Sequence, residues 1–135
     1  MNRPRPITVL FALALLPTLA MLLIVGCADT YAGKAEQTHQ AAFEAADAFL
    51  LYEHEHRDEL PPKVTAAADE VRRKGPPLFT ASWDAIQAYK ADPTPAAKRE
   101  VSEWLGLIAD VAARAREGYA EARRAMLDRR AEPNL

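Results

Sequence analysis

Residues 31–60 read YAGKAEQTHQAAFEAADAFLLYEHEHRDEL, and this stretch decides the fold. Its small and apolar residues recur in alternating steps of four and three, a heptad seam typical of coiled coils and helices packed against other helices. The seam comprises Tyr31, Ala35, Thr38, Ala42, Ala45, Phe49 and Tyr52, widened by Ala46 and Leu50. A proline pair follows, and residues before prolines are pushed out of helical geometry. The pattern predicts a helix from Asp29 or Thr30 to about Arg57.

Three further segments have helical spacing. The first follows Pro62, which suits the first turn of a helix, and the last opens with a capping hydroxyl at Thr94 and a proline at Pro95. Gly75-Pro76-Pro77 breaks the first segment from the second. The apolar positions are Val64, Ala67, Ala68 and Val71 in the first, Phe79, Trp83, Ile86 and Tyr89 in the second, and Val101, Trp104, Leu105, Ile108, Val111, Ala112, Ala115, Tyr119, Ala122 and Met126 in the third. No run alternates with a period of two, so no strand is predicted.

These segments predict an all-α fold, a small up-down helical bundle over residues 31–132. At 1.5 Å per residue, the first helix is about 42 Å long and the last is about 50–55 Å long. The second and third helices, laid end to end, are about 45 Å long. The matched lengths favour three long legs, with the middle leg kinked at Gly75-Pro76-Pro77. This arrangement also places the acids near Glu53 at the same end as the arginines near Arg129. A four-helix bundle, with a full turn at the same motif, is the alternative.

The first 27 residues have the order of an export signal. Arg3 and Arg5 form a basic head, residues 7–25 are apolar and uncharged, and Ile24-Val25-Gly26-Cys27 closes the stretch. The last four residues resemble the lipobox of bacterial lipoproteins. That resemblance implies signal cleavage after Gly26 and lipidation of the Cys27 sulfur, usually with a further acyl chain on its amine. It implies a membrane anchor and names no activity.

The expected domains are a signal peptide at 1–26, a lipidated anchor and tether at 27–30, and the helical bundle. An uncleaved transmembrane helix is the alternative, because about twenty apolar residues span a bilayer. With either, the basic head stays in the cytoplasm and the remainder is exported. In Gram-negative lipoproteins, an aspartate directly after the cysteine favours retention in the inner membrane. Here Ala28 takes that position and the aspartate comes one residue later, at Asp29. The resemblance therefore favours the outer membrane if the source is Gram-negative.

Charge and cysteine content exclude several classes of function. Cleavage would remove two of the seventeen basic residues and none of the nineteen acids, so the formal charge would change from −2 to −4. A mildly acidic exported protein is a poor candidate for binding nucleic acid. With Cys27 acylated, the bundle has no thiol for disulfides, thiolate catalysis or cysteine-bound metal.

Two Glu-x-x-His pairs, Glu36/His39 and Glu53/His56, have the spacing that supplies metal ligands in di-iron bundles. They lie seventeen positions apart on one helix, about 25 Å, so they share no site and are interpreted as surface residues. His54 and His56 lie on nearly opposite helix faces, which argues against a designed zinc site. Adventitious zinc binding and a pH-responsive cluster are the alternatives. We expect no metal and no cofactor.

No arrangement of residues indicates catalysis. Ser82 and Ser102 lie within helical runs, and the sequence has no nucleophile elbow, phosphate loop or dinucleotide fingerprint. We therefore expect a protein that is not an enzyme. Core packing is predicted for the aromatic residues of the later helices, with a groove for a lipid or peptide as the alternative. These residues are Phe79, Trp83, Tyr89, Trp104 and Tyr119.

The last helix carries Arg123, Arg124, Arg129 and Arg130 near its end. Interleaved acids predict a solvated face with ion pairs such as Glu121/Arg124 and Arg124/Asp128. Binding of lipopolysaccharide, anionic lipid or an acidic partner is the alternative.

The sequence as a whole predicts a small helical lipoprotein of the bacterial cell envelope, a protein-interaction or structural module. It would be held in the membrane by acyl chains on Cys27 and would bind an envelope protein, with self-association through the heptad seam left open. A carrier of a lipid or small apolar ligand, and a phage or prophage lysis or exclusion factor, are the alternatives.

Overall fold

The computed structural model describes residues 30–131, and this part of the chain is all-α without strands. The elements are helix α1 at Tyr31–His56, a 3-10 turn at Arg57–Glu59, helix α2 at Pro62–Ala91 and helix α3 at Pro95–Ala131. The predicted bundle of three helical legs is confirmed. Contacts divide the chain between Lys34 and Ala35, and the packing of the three helices described here is that of the second unit.

Hydroxyl side chains cap the starts of α1 and α3. The backbone N–H of Gly33 donates to Thr30 Oγ1 at 3.1 Å, and that of Ala97 donates to Thr94 Oγ1 at 3.1 Å. Each bond satisfies an N–H that has no partner within its helix. The cap predicted at Thr94 is therefore confirmed.

Helix α2 continues through Gly75-Pro76-Pro77, so the four-helix alternative and the predicted break at this motif are wrong. The two prolines have no N–H to donate to the carbonyls of Arg72 and Arg73, which destabilises the helix locally. Packing offsets that cost, because the buried stripe keeps its helical phase across the motif. The stripe comprises Val64, Ala67, Ala68, Val71, Gly75, Phe79, Ser82, Ala85 and Ile86.

Ion pairs between helices show that neighbouring helices run in opposite directions. Glu36, early in α1, pairs with Lys90 at the end of α2, with 2.7 Å between Oε1 and Nζ. Lys63, at the start of α2, pairs with Glu121 late in α3, also at 2.7 Å. Helices α1 and α3 therefore run in the same direction, as an up-down-up bundle requires.

The ring of Phe49 fixes the packing of α1 on α3. Phe49 has no exposed surface, and its ring lies against the backbone of Gly118. A Cβ added at Gly118 would lie 2.8 Å from Cε1 and 2.9 Å from Cε2 of Phe49, and closer still to Cζ. Only glycine leaves room for this ring at this position.

The two glycines inside α3 should respond oppositely to alanine. We expect Gly118→Ala to lower the free energy of unfolding by about 1–3 kcal/mol, because the methyl group would overlap the Phe49 ring. Gly106 has no atom within 4 Å of an added Cβ. Gly106→Ala should therefore stabilise the protein by up to about 1 kcal/mol through helix propensity. Urea denaturation of the full chain, followed by circular dichroism, measures both, and equal effects would contradict the contact.

Candidate functional site

The lipidation and cleavage residues predicted from the sequence, Cys27 and Gly26, lie outside the described residues. Their roles stay predictions. The candidate sites described below all lie within residues 35–131.

Glu53 is completely buried, so its interpretation as a surface acid is wrong. Its Oε2 accepts a hydrogen bond from Arg72 Nη2 at 2.8 Å, and its Oε1 lies 2.9 Å from Arg57 Nη1 in an ion pair that lacks hydrogen-bond alignment. Both arginines also reach Asp69, at 2.6 Å from Arg72 and 3.3 Å from Arg57. The carboxylate is buried because two half-exposed guanidinium groups compensate its charge. This network joins α1 to α2.

The other members of the Glu-x-x-His pairs are also held by neighbours. Glu36 is paired with Lys90, as described above. The ring of His56 stacks on Tyr52 at a centroid distance of 4.4 Å, and its Nδ1–H donates to the Tyr52 carbonyl at 3.0 Å. His54 is exposed. The two histidines are therefore not brought together.

The fold does bring His39 to Ser82, an arrangement that the sequence did not indicate. His39 Nδ1 lies 2.9 Å from Ser82 Oγ, and the Ser82 hydroxyl donates to the Phe79 carbonyl at 3.0 Å. Because the hydroxyl has one hydrogen, His39 must donate its Nδ1–H to Ser82. A general base would instead accept the serine proton, and Ser82 has no exposed surface. The pair therefore fixes the imidazole in place rather than forming a nucleophile.

Burial lowers the pKa of His39 below its usual value. The neutral imidazole is thus favoured in the folded chain, and its contribution to stability is present above the usual pKa of histidine. That contribution is lost as the pH falls below this value, because the unfolded chain then binds a proton more readily.

Four rings form a continuous surface on α1 and α2, which we call the aromatic face: His39, Phe43, Phe79 and Trp83. His39 lies 5.8 Å from Phe79 and 5.4 Å from Trp83, and Phe43 lies 5.5 Å from Phe79, as ring-centroid distances. Phe79 is buried beneath the others, while Phe43 is 47% and Trp83 is 44% exposed. The predicted core position of Trp83 is therefore wrong.

An apolar groove of about 260 Å³ adjoins the aromatic face between α1 and α2. We call it the α1–α2 groove. Its lining residues are Phe43, Ala46, Asp47, Leu50, Val71, Gly75, Pro76, Phe79 and Thr80. Asp47 is its one charged lining residue. Two half-exposed aromatic rings next to an apolar groove are typical of a surface that binds another molecule.

A larger groove of about 480 Å³ lies between α2 and α3, but charged groups occupy its edges. Glu70 pairs with Lys74 at 2.6 Å and with Arg114 at 3.6 Å. The hydrogen bond and charge of Lys74 lower the pKa of Glu70. Asp110 also lines this groove and forms no ion pair within residues 30–131. The groove is therefore more highly charged than the α1–α2 groove, which has one charged lining residue.

The arginine-rich end of α3 borders a third groove, of about 230 Å³, that Arg123 and Arg130 line together with His56 of α1. The ends of α1 and α3 therefore lie together, as predicted. The predicted ion pair between Glu121 and Arg124 is wrong, because Glu121 pairs with Lys63 of α2 instead. The hydrogen bond from Lys63 lowers the pKa of Glu121, and Arg124 adds only a weaker attraction.

Residues 30–131 lack two general signatures of function. No group of three or more histidine, cysteine or acidic side chains there is placed to hold a metal ion. Within the same residues, no helix has the length and apolar character needed to cross a membrane. Comparison with protein-family models, curated proteins and solved structures finds no match to this chain.

Proposed function

We propose that the chain is a lipid-anchored helical protein of the bacterial cell envelope that binds an envelope protein through its aromatic face. The export and anchoring part of this proposal rests on the basic head and on Ile24-Val25-Gly26-Cys27. The outer membrane is the expected location if the source is Gram-negative. The proposed role requires no chemistry on a substrate, only presentation of a surface.

The observation that carries the interaction role is the exposure of two large aromatic side chains beside one groove. Phe43 and Trp83 each leave nearly half of their surface in water, although a buried ring would stabilise the fold more. Aromatic residues are enriched at protein interfaces, where a few such anchors supply most of the binding energy. The aromatic face therefore suits a protein partner.

A lipid carrier is less well supported. The α1–α2 groove, at about 260 Å³, is smaller than the roughly 300–1,000 Å³ typical of small-molecule pockets. Trp104 lines a surface formed by α3 alone, bordered by Arg99, Glu100 and Glu103. Neither place encloses an apolar ligand between helices.

The proposed mechanism combines the anchor with the aromatic face. Two or more acyl chains at Cys27 would hold the protein on the membrane stably, because a single short chain gives only marginal binding. Confinement to the membrane surface raises the effective concentration of the aromatic face toward partners in the same envelope. A low intrinsic affinity of the aromatic face for its partner would then suffice for binding.

Chemical cross-linking and pull-down from native envelopes tests the proposal, with the full chain compared with Cys27→Ala and Phe43→Ser. We expect one specific envelope protein with the unmodified chain. At least about tenfold less of it should be recovered with Phe43→Ser, since loss of an interface anchor costs about 1–2 kcal/mol or more. Less of it should also be recovered with Cys27→Ala, since loss of the membrane anchor lowers the effective concentration. Leu51→Ser is the matched control, because Leu51 is 57% exposed on α1 and lies outside the aromatic face. Equal recovery with Phe43→Ser and Leu51→Ser would refute the role of the face.

A further inference from the structure

The α1–α2 groove has a chemistry that defines its partner more closely. Resting on the proposed function, we propose that the occupant is a helix of another envelope protein, with an apolar anchor flanked by lysine or arginine. The apolar lining and the local charge each support this inference independently.

The apolar lining specifies the anchor. Phe43, Leu50, Pro76 and Phe79 form walls with few polar atoms, between two helices that run in opposite directions. An amphipathic helix commonly binds such a groove by inserting apolar side chains spaced three or four residues apart. The groove volume suits side chains rather than a folded domain, and Phe43 and Trp83 would cover the flanks of the bound helix.

The charge around the groove specifies the flanking residues. Asp47 lines the groove, Glu44 follows Phe43, and Asp84 follows Trp83, all three exposed. Neither Asp47 nor Asp84 has an ion pair within the described part of the chain, and Glu44 accepts a hydrogen bond from the neutral amide of Gln40. This side of the bundle is therefore negative.

Of the basic residues of α2, Lys90 and Arg72 are already engaged, whereas Arg73 is exposed and forms no ion pair within residues 30–131. Lys90 is paired with Glu36, and Arg72 is shared between Glu53 and Asp69. Lys90 and Arg72 therefore do not neutralise the acids beside the groove, and Arg73 offsets only one of the three. A cationic partner supplies the missing charge, which accelerates association and disfavours acidic competitors.

A second copy of this chain fits the groove less well. Its basic apolar segment, with Leu127 60% exposed beside Arg123 and Arg130, borders the groove between α1 and α3. The α1–α2 groove is a different surface, so contact between copies would be head-to-tail rather than mutual. Such contacts extend into filaments unless their rotation closes a ring. A separate protein requires no such closure.

Site-specific photo-cross-linking tests the inference. Benzoylphenylalanine replaces Phe43 in the full chain, and Leu51 in a matched control, within native envelopes. The cross-linked peptide is then identified by mass spectrometry. We expect a segment of a different envelope protein with apolar residues at helical spacing and adjacent lysine or arginine. Cross-linking to a second copy, or to a segment without basic residues, would overturn the inference while leaving the proposed function intact.

Neutralisation of the acids tests the charge separately. We expect Asp47→Asn with Asp84→Asn to reduce the cross-linking yield about threefold or more at low ionic strength, as two exposed ion pairs would. Glu100→Gln with Glu103→Gln, exposed acids on α3, is the control. Equal cross-linking yields in the Asp47/Asp84 variant and the Glu100/Glu103 variant would overturn the inference that the partner is basic. No cross-link at position 43 would refute the proposed function as well.

Discussion

We expect Phe49→Ala to lower the free energy of unfolding by about 3–5 kcal/mol, the usual cost of truncating a buried phenylalanine. Phe49 has no exposed surface, and its ring fills the space left by the missing side chain of Gly118. The cavity would collapse poorly, because glycine has no side chain to move into it. Urea denaturation of the full chain should show a lower midpoint with little change in slope, since the surface exposed on unfolding changes little.

Two controls make this result specific. Leu51→Ala, at a position 57% exposed on the same helix, should change the free energy of unfolding by no more than about 0.5 kcal/mol. Gly118→Ala should change sign in the Phe49→Ala background, from destabilising to stabilising, because the clash is absent and helix propensity remains. Equal losses for Phe49→Ala and Leu51→Ala would contradict the packing of α1 on α3.

The sequence predicted the position of Phe49 but not its partner. Steps of four and three place Phe49 in the seam of α1, and burial confirms it. Local helix propensity counts Gly118 only as a cost to α3, because the need for glycine arises from a ring on another helix. The continuation of α2 through Gly75-Pro76-Pro77 also depends on contacts with other helices. The packing of the buried stripe decides whether the helix continues there, more than the local propensity of proline does.

Glu53 shows a second limit of the sequence. Ala42, Ala46, Phe49 and Glu53 form one buried stripe, so helical spacing alone would have placed Glu53 in the core. Its charge argued for the surface, because an unpaired buried carboxylate is costly. The compensating Arg72 lies nineteen residues away on another helix, and no local pattern indicated that contact.

The sequence favoured a core position for Trp83 and left a groove as the alternative, because residue type and helical phase disagree at this position. Ser82 takes the buried position between Phe79 and Ile86, and Trp83 lies beside it at the edge of the buried stripe. By hydrophobicity alone, tryptophan is favoured over serine at a core position. The His39 contact that satisfies the Ser82 hydroxyl lies 43 residues earlier in the chain.

Removal of both guanidinium groups around Glu53 should have the second large effect. We expect Arg57→Met with Arg72→Met to lower the free energy of unfolding by about 3–5 kcal/mol, because a buried charge without its partner is strongly destabilising. The cost comes from Glu53 rather than from lost packing, since both arginines are nearly half exposed. Denaturation of the full chain measures it, with Arg123→Met and Arg124→Met as exposed controls that should change stability little.

A third substitution distinguishes this mechanism from simple loss of contacts. Addition of Glu53→Met to the double variant removes the stranded carboxylate and leaves an apolar residue in the buried stripe of α1 that also contains Phe49. Replacement of a buried ionic group by well-packed apolar residues is often neutral or stabilising, so most of the lost stability should return. A triple variant no more stable than the double would mean that Glu53 rehydrates when its arginines are removed. The network would then join α1 to α2 only through exposed ion pairs, which contribute at most about 1 kcal/mol each.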